Sequence, residues 1–438
     1  MLKISNFVEI SEFCKENKEL VAIFNSKNGK LSIVSKNFWQ EVNTILRNGN
    51  SIKKIPQTFV EDFLVDDAVD EFEEILNENK VFVNETLRYV VMVSGTCNFG
   101  CDYCGQNHKN IKVSKENQDR IFEDIKDKLR TKKFEELFLG WFGGEPMLAL
   151  DVIESLAPRL IKLCEEENVR YVSHIATNAS LLTEERAEIC VKKCKINFWG
   201  ITIDGNAEEH NARRCLKGRQ GTFNEVYNNF KGLLKIVKDN PEVEVTLRCN
   251  VDMRNADAIF HLIDILHADH LESDKNLFVY LAPIHDWGND AGKKAIEQEE
   301  FARLEVQAMA RLIELGFSVK PLPKRKHGCL YTSEHAIMSD PEGNLFPCSE
   351  VGLVDAYIEN GLHKYQIGDL EMGVCRARDV FEKFKKITDA NSPCKRCKIF
   401  PTCAGACPKQ WQDGNLPCPT TRYNLKEKML LAYLLSQQ

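Results

Sequence analysis

The sequence predicts an α/β protein built on a parallel sheet or partial barrel, with a small mixed module before it and a cysteine-rich segment after it. Three observations carry that prediction. Between about residues 88 and 318, six apolar runs alternate with amphipathic stretches of helical period. The first 85 residues instead combine a hairpin signal with two short amphipathic helices. From about 319 onward the alternation stops, and Pro, Gly and Cys take over.

In the first region (1–85), "LVAIFNSKNGKLSIVS" alternates around an Asn-Gly step, the composition of a β-hairpin turn. "NFWQEVNTILRNG" reads as an amphipathic helix, and "AVDEFEEILNENKVFV" as a second one ending in a strand. A hairpin plus helices of this size resembles a small winged-helix module. In the second region (86–318) the candidate strands are "YVVMVSG", "LFLGWFGG", "YVSHIATN", "FWGITIDG", "VEVTLRCNVD" and "LFVYLAP". Each runs into polar or glycine-rich residues at its C-terminal end, where chemistry gathers in parallel α/β folds. In the third region (319–438), "PLPKRKHGC", "DPEGNLFPC" and "SPCKRCKIFPTCAGACP" bury little apolar surface and call for metal to fold. "LKEKMLLAYLLSQQ" closes the chain as a helix.

Composition narrows the function classes. Of 438 residues 43% are hydrophobic and 28% charged, with a formal net charge of −7. That balance argues against a nucleic-acid-binding surface. No run of 18 apolar residues is present, and the N-terminus lacks the basic-then-apolar layout of a signal peptide. The expectation is a cytoplasmic protein with no membrane partner. Seventeen cysteines are many for such a chain, and clustering points to metal or catalysis rather than disulfides. Seven are scattered: Cys14, Cys164, Cys190, Cys194, Cys215, Cys249 and Cys375 read as plain thiols. The other ten fall into two sets.

The first set is "TCNFGCDYC", with Cys97, Cys101 and Cys104 at C-x3-C-x2-C spacing just after the first strand. Structural zinc wants four ligands, and only His108 is near enough to be a fourth. Three thiolates suit three corners of a cubic iron–sulfur cluster and leave one iron open. The second set comprises Cys329, Cys348, Cys394, Cys397, Cys403, Cys407 and Cys418, with C-x2-C-x5-C-x3-C-x10-C at its heart. A pair of zinc ribbons is the competing reading there.

The cysteine loop, with Tyr103 inside it, resembles the cluster loop of the radical S-adenosylmethionine (radical SAM) enzymes. Gly143-Gly144-Glu145-Pro146, ending the second strand, resembles the family's GGEP motif. "ATNASLLT" and "ITIDGNAEEHNARR" resemble its later runs, with Ala179, Asn206 and Asn211 departing from the usual residues. The resemblance implies a partial (β/α)6 radical SAM barrel, an open iron that chelates SAM, and a 5′-deoxyadenosyl radical. It also implies SAM contacts from Gly143–Pro146, Tyr103, Thr202, Asp204, Arg248 and Asn250, while His210 and Arg214 read equally well as structural.

The second set resembles the SPASM extension, which implies two auxiliary [4Fe-4S] clusters and three in all. One would take Cys394, Cys397, Cys403 and Cys418. The other would take Cys329, Cys348 and Cys407, its fourth position open or filled by His335. SPASM relatives mostly act on peptides, and the N-terminal module is similar in layout to a leader-recognition domain. The implied function is a ribosomal-peptide maturase that forms a carbon–carbon or thioether cross-link, fed electrons by flavodoxin or ferredoxin. Sulfatase-maturing chemistry is disfavoured because Ser349 and Glu350 stand where that subfamily has Asp. Epimerisation is a second reading, and a non-catalytic iron–sulfur or zinc scaffold a third. Glu350, Asp286 and His285 are candidate bases by location.

Overall fold

The computed structural model describes residues 1–49, 52–285, 290–329, 332–333, 335–375 and 378–437. Its contacts group the chain into two compact units that cut across sequence order. One comprises Met1–Val83, Lys320–Thr332 and Phe381–Gln438; the other comprises Asn84–Val319 and Ser333–Val380.

In the first unit, β1 (Leu2–Ile4) pairs with β5 (Leu64–Asp66), and β2 (Val8–Lys15), β3 (Lys18–Asn25) and β4 (Lys30–Ser35) form an antiparallel sheet. The β3–β4 hairpin is the one expected. The β2–β3 turn was not anticipated: Glu16 and Asn17 both take positive φ, 51° and 63°, as a two-residue twisted turn requires. Helices α1 (Lys36–Arg47), α2 (Gln57–Phe63) and α3 (Glu71–Glu85) follow. Here the structure corrects the sequence reading. "KVFV" is not a strand but the last turns of α3, and the strand starts only at Thr86. Three apolar residues are too few to show a period, and Phe82 instead stacks on His327 at 4.0 Å between centroids.

Short helices α11 (Phe400–Cys403) and α12 (Pro408–Gln412) and the closing helix α13 (Thr421–Leu435) belong to the same unit. Phe24, Ile399, Leu425 and Met429 share one core, and Phe7, Phe72, Ile75 and Phe400 another. Both ends of the chain thus contribute to these two cores, while Val21, Ile23, Trp39, Val42 and Phe59 form a third from the N-terminal segment alone.

In the second unit, β6 (Thr86–Ser94), β7 (Glu136–Gly143), β8 (Arg170–Thr177), β9 (Phe198–Thr202), β10 (Glu244–Val251) and β11 (Leu277–Pro283) lie side by side in sequence order, all parallel. All six expected strands are present. The helices between them are α4 (Lys115–Thr131), α5 (Leu150–Glu167), α6 (Glu184–Glu188), α7 (Ala207–Arg213), α8 (Phe223–Val237) and α9 (Ala258–Ala268), with α10 (Gln298–Glu314) after β11. α4 shows why they form: Ser114 caps its first turn, and Ile121, Ile125 and Leu129 line one buried stripe.

The sheet is open, because β11 does not pair with β6. Instead β12 (Ala336–Ser339) adds to β6 in parallel, and β13 (Asn344–Phe346) adds beyond it. These strands were unreadable because each is too short to show alternation. The two faces of the six-strand sheet differ. One carries Leu139, Trp141, Ile175, Trp199, Ile201 and Leu247, all fully buried with the helices in a single core. On the opposite face, Phe198 and Tyr280 are exposed and His174, Thr202 and Arg248 half-buried. Among the described residues no helix is long and apolar enough to cross a membrane.

Candidate active site

The loop after β6 is held first by its main chain. The Gly100 N–H donates to the Cys215 carbonyl at 2.9 Å, Lys217 to Asn98 at 3.1 Å and Asp102 to Arg213 at 3.2 Å. The chain leaving α7 therefore lies along the cysteine loop. On its other side, Gly144 donates to the Ser94 carbonyl and Glu145 to the Thr96 carbonyl, both at 2.8 Å. This close approach explains the two glycines. A Cβ on Gly143, whose φ is +129°, would sit 2.2 Å from the Ser94 oxygen, and one on Gly144 would sit 2.4 Å from the Thr96 oxygen. The glycines admit the backbone that leads into the cysteine loop.

The Glu145 carboxylate is buried and engaged. It accepts from the Thr177 hydroxyl at 2.6 Å, the Asn178 N–H at 2.7 Å and the Met147 N–H at 2.9 Å. Burial pushes its pKa up, and those three donors oppose the shift. Pro146 begins the helical turn that Glu145 caps. The Asn178 amide bridges the Asn98 side chain at 2.9 Å and Cys97 Sγ at 3.9 Å.

Tyr103 is the hub of a second network. Its hydroxyl donates to Asp204 at 2.7 Å and accepts from Arg214 at 2.7 Å and Asn250 at 2.9 Å. Asp204 also accepts the Asn250 N–H at 2.8 Å, and Arg248 donates to the Asn250 side chain at 2.7 Å. Thr202 is half-buried at the end of β9. The structure thus gathers Tyr103, Asp204, Arg248 and Asn250, and the side chains of all four are bonded to protein groups.

Asp102 meets Arg254 and, at 4.0 Å, Arg213, and both arginines also reach the buried Asp252. Arg213, Asp252 and Arg254 were missed in the sequence. For Asp252 and Arg254 the one signal was charge just past the end of an apolar strand, and Arg213 closes the polar helix α7. His210 is fully buried: Nδ1 accepts the Asp204 N–H at 3.2 Å, so Nε2 carries the proton and faces Thr222 Oγ1 at 3.1 Å. Burial, and secondarily Arg214, holds it neutral, with its pKa well below the ordinary value.

Cys97 is buried, and Cys101 and Cys104 half-buried. Burial pushes the Cys97 thiol up to about 12 and the Cys101 thiol to about 11, and raises Cys104. Such thiols ionise only when a cation compensates them, as metal binding does. The donor set fits an anionic cluster. Among the described residues Arg213 Nε and Arg214 Nε are buried with no hydrogen-bond partner, and the two guanidinium groups lie 5.0 Å from the Tyr103 ring and 5.5 Å from the Phe99 ring of the loop.

The second cysteine set divides. Cys394, Cys397, Cys403 and Cys418 line a single cavity, with Phe400 and Trp411 in its wall. Arg422 donates to Cys418 Sγ at 3.0 Å. Ala404, Gly405 and Ala406 all take positive φ, which turns the chain sharply between Cys403 and Cys407. Four thiols around one space suit a fully ligated cluster. Cys329 and Cys407 belong to the first unit and Cys348 to the second. His335 is engaged elsewhere: its Nε2 lies 2.6 Å from Lys132 Nζ, and its ring meets Phe134 edge-on. Glu350 and His285 are exposed, and Asp286 lies outside the described residues.

Residues 91–250 match the radical SAM superfamily. The cysteine-type anaerobic sulfatase-maturating enzyme of Clostridium novyi is 26% identical over 144 residues, 32% of this chain and 37% of that one. The radical SAM cyclopropyl synthase TigE of Paramaledivibacter caminithermalis is 26% identical over 129 residues, 26% of this chain and 27% of that one. The chain thus matches well under half the length of these curated relatives. Among solved structures, anSMEcpe with bound AdoMet and Kp18Cys peptide has a TM-score of 0.58 at 17% identity, over 81% of this chain and 100% of that one. Streptococcus suis SuiB bound to precursor peptide SuiA has a TM-score of 0.50 at 14% identity, over 96% and 99%. These likenesses establish the fold, whose family implies a [4Fe-4S] cluster and SAM. The parallel sheet, the three-cysteine loop at its C-terminal edge and the match across both together identify the chain as carrying a radical SAM domain.

Proposed function

We propose that the protein is a radical SAM peptide maturase that forms a carbon–carbon or thioether cross-link in a ribosomally made precursor peptide. The observation that carries the reading is the cysteine loop, tied by backbone bonds to the Gly-Gly-Glu-Pro turn and supplying three thiols where a cubic cluster has four corners. Cys97, Cys101 and Cys104 hold that cluster. When bound and reduced, it supplies with SAM the 5′-deoxyadenosyl radical that removes a substrate hydrogen.

The chain's own work is placement. Glu145 and Asn178 fix the ends of β7 and β8 against Cys97, and Asp204 and Asn250 fix Tyr103. Gly143, Gly144, Thr202 and Arg248 border the space for SAM. The half-exposed sheet face, with Phe198 and Tyr280, receives the peptide and limits water. Cys394, Cys397, Cys403 and Cys418 hold an auxiliary cluster, and Cys329, Cys348 and Cys407 a third. These accept the electron released on cross-linking and pass it on, with flavodoxin or ferredoxin as redox partner in the cytoplasm. Residues 1–85 bind the leader, for which the edges of the β2–β3–β4 sheet offer strand addition. The sulfatase-maturating relative favours a second reading, oxidation of a single side chain in a protein substrate.

The test is anaerobic turnover with SAM, a reductant and the short peptide encoded beside the gene, read by high-resolution mass spectrometry. A loss of about two mass units per event, with two residues joined in the fragment spectrum, is expected for a cross-link. A loss confined to one residue supports the second reading, about two mass units when a serine becomes an aldehyde and about eighteen when a cysteine does so with sulfur leaving as sulfide and water supplying the oxygen. Unchanged mass with solvent deuterium incorporated means epimerisation and overturns both.

A further inference from the structure

We propose that Arg214 is the fixed counter-charge of the cysteine loop, raising the reduction potential of the cluster held by Cys97, Cys101 and Cys104 and securing its retention. The inference rests on the cluster assignment above and assigns a role to a residue that is equally readable as structural.

Arg214 is 7% exposed. Its guanidinium carbon lies 5.5 Å from the centroid of Phe99, and its Nη1 donates to the Tyr103 hydroxyl at 2.7 Å. Phe99 and Tyr103 are the two aromatic residues of "TCNFGCDYC", so the charge lies against the cysteine loop. Its surroundings differ from those of neighbouring Arg213 in one respect. Arg213 has carboxylates within ion-pair distance, Asp252 at 3.3 Å and Asp102 at 4.0 Å. Among the described residues Arg214 has no such partner, and Asp204 reaches it only through the Tyr103 hydroxyl. Its Nε–H is buried without an acceptor.

A guanidinium buried with Asp204 one hydroxyl away and no carboxylate in direct contact among the described residues is only partly compensated, which favours further negative charge at the loop. Cysteines ionised by binding an iron–sulfur cluster supply it. A fixed positive charge stabilises the more negative, reduced cluster over the oxidised one, and cluster potentials follow local charge and hydrogen bonds to sulfur. The backbone that carries the side chain is anchored independently of any ligand, since the Arg214 N–H donates to the His210 carbonyl at 2.7 Å and Thr222 donates to the Arg214 carbonyl.

The test compares the full chain, anaerobically reconstituted, with Arg214→Met, Arg214→Lys and Cys101→Ala, by iron content and a potentiometric titration followed by electron paramagnetic resonance. The signal that Cys101→Ala removes is the one to follow. Arg214→Met is expected to lower its midpoint potential and its iron occupancy, and Arg214→Lys to recover most of the potential. An unchanged potential in Arg214→Met at full occupancy overturns the inference, as does a lysine variant no better than methionine. If Arg214→Met does not fold, Arg214→Gln is titrated instead, and a potential equal to the parent's overturns the inference equally. If Cys101→Ala removes no signal, the loop holds no cluster, and the functional reading falls with the inference.

Discussion

The two cysteine regions are built in opposite ways. The loop at Cys97–Cys104 is surrounded by protein groups that hold it without help: backbone bonds on both flanks, the Tyr103 hub, and the Asp102, Arg213, Asp252 and Arg254 chain. The region at Cys394–Cys418 has short helices, three successive left-handed residues and four thiols around a cavity. Its apolar support is a handful of residues, including Ile399 and Phe400. A site that must leave one ligand position open has its shape imposed by the fold. A site with all four ligands from the chain can take its shape from the metal.

The sharpest contrast is between single cysteine substitutions. Cys101→Ala is expected to drop 5′-deoxyadenosine formation to background while the melting temperature barely moves, measured by anaerobic chromatography and thermal unfolding. Cys403→Ser should instead cost several kcal/mol of stability in the first unit, because metal-binding energy there is folding energy. Limited proteolysis checks it: cutting after about residue 380 should appear while fragments of the six-strand sheet persist. Equal destabilisation by both variants would erase the distinction.

Substitutions in the supports of the first loop have smaller effects. Gly144→Ala places a methyl 2.4 Å from the Thr96 oxygen and should destabilise by about 1–3 kcal/mol, read from denaturant midpoints. Tyr103→Phe keeps the ring but strips three buried partners of their common hydroxyl, for about 1–3 kcal/mol. SAM affinity should weaken in both, since the loop loses its register. Either variant matching the parent in stability and affinity would show the loop to be shaped by its metal after all.

The smallest effect is on pH. His210 has its native pKa depressed, so the unfolded chain takes up the proton first as pH falls below about 6.5. Stability is therefore full above that value and lost as pH drops toward the native pKa, by at most about 1.4 kcal/mol per pH unit. Urea midpoints at two pH values, compared with His210→Asn, should show a shallower slope in the variant.

The six strands were legible because each is an apolar run bounded by polar or glycine residues, and the loop because three thiols at that spacing have few other uses. The end of α3 and strands β12 and β13 were not, since three or four residues cannot display a period. The close approach of the Ser94 and Thr96 backbone to the glycines at 143 and 144 is a tertiary contact that the sequence does not display.

Local pattern by itself determined which segments become strands and helices and which residues carry sulfur chemistry. That information is short-range: hydrophobic period, turn residues and ligand spacing all act over a few positions. Only the tertiary structure decided that Arg214 lies between Phe99 and Tyr103, that Glu145 is spent on Thr177 and Asn178, and that four of the late cysteines line one cavity. Contacts of this kind join residues as many as 147 positions apart, as the Tyr103–Asn250 bond does. The pairing of buried polar groups depends on which partners the packed core brings within reach, and no periodicity along the chain encodes it.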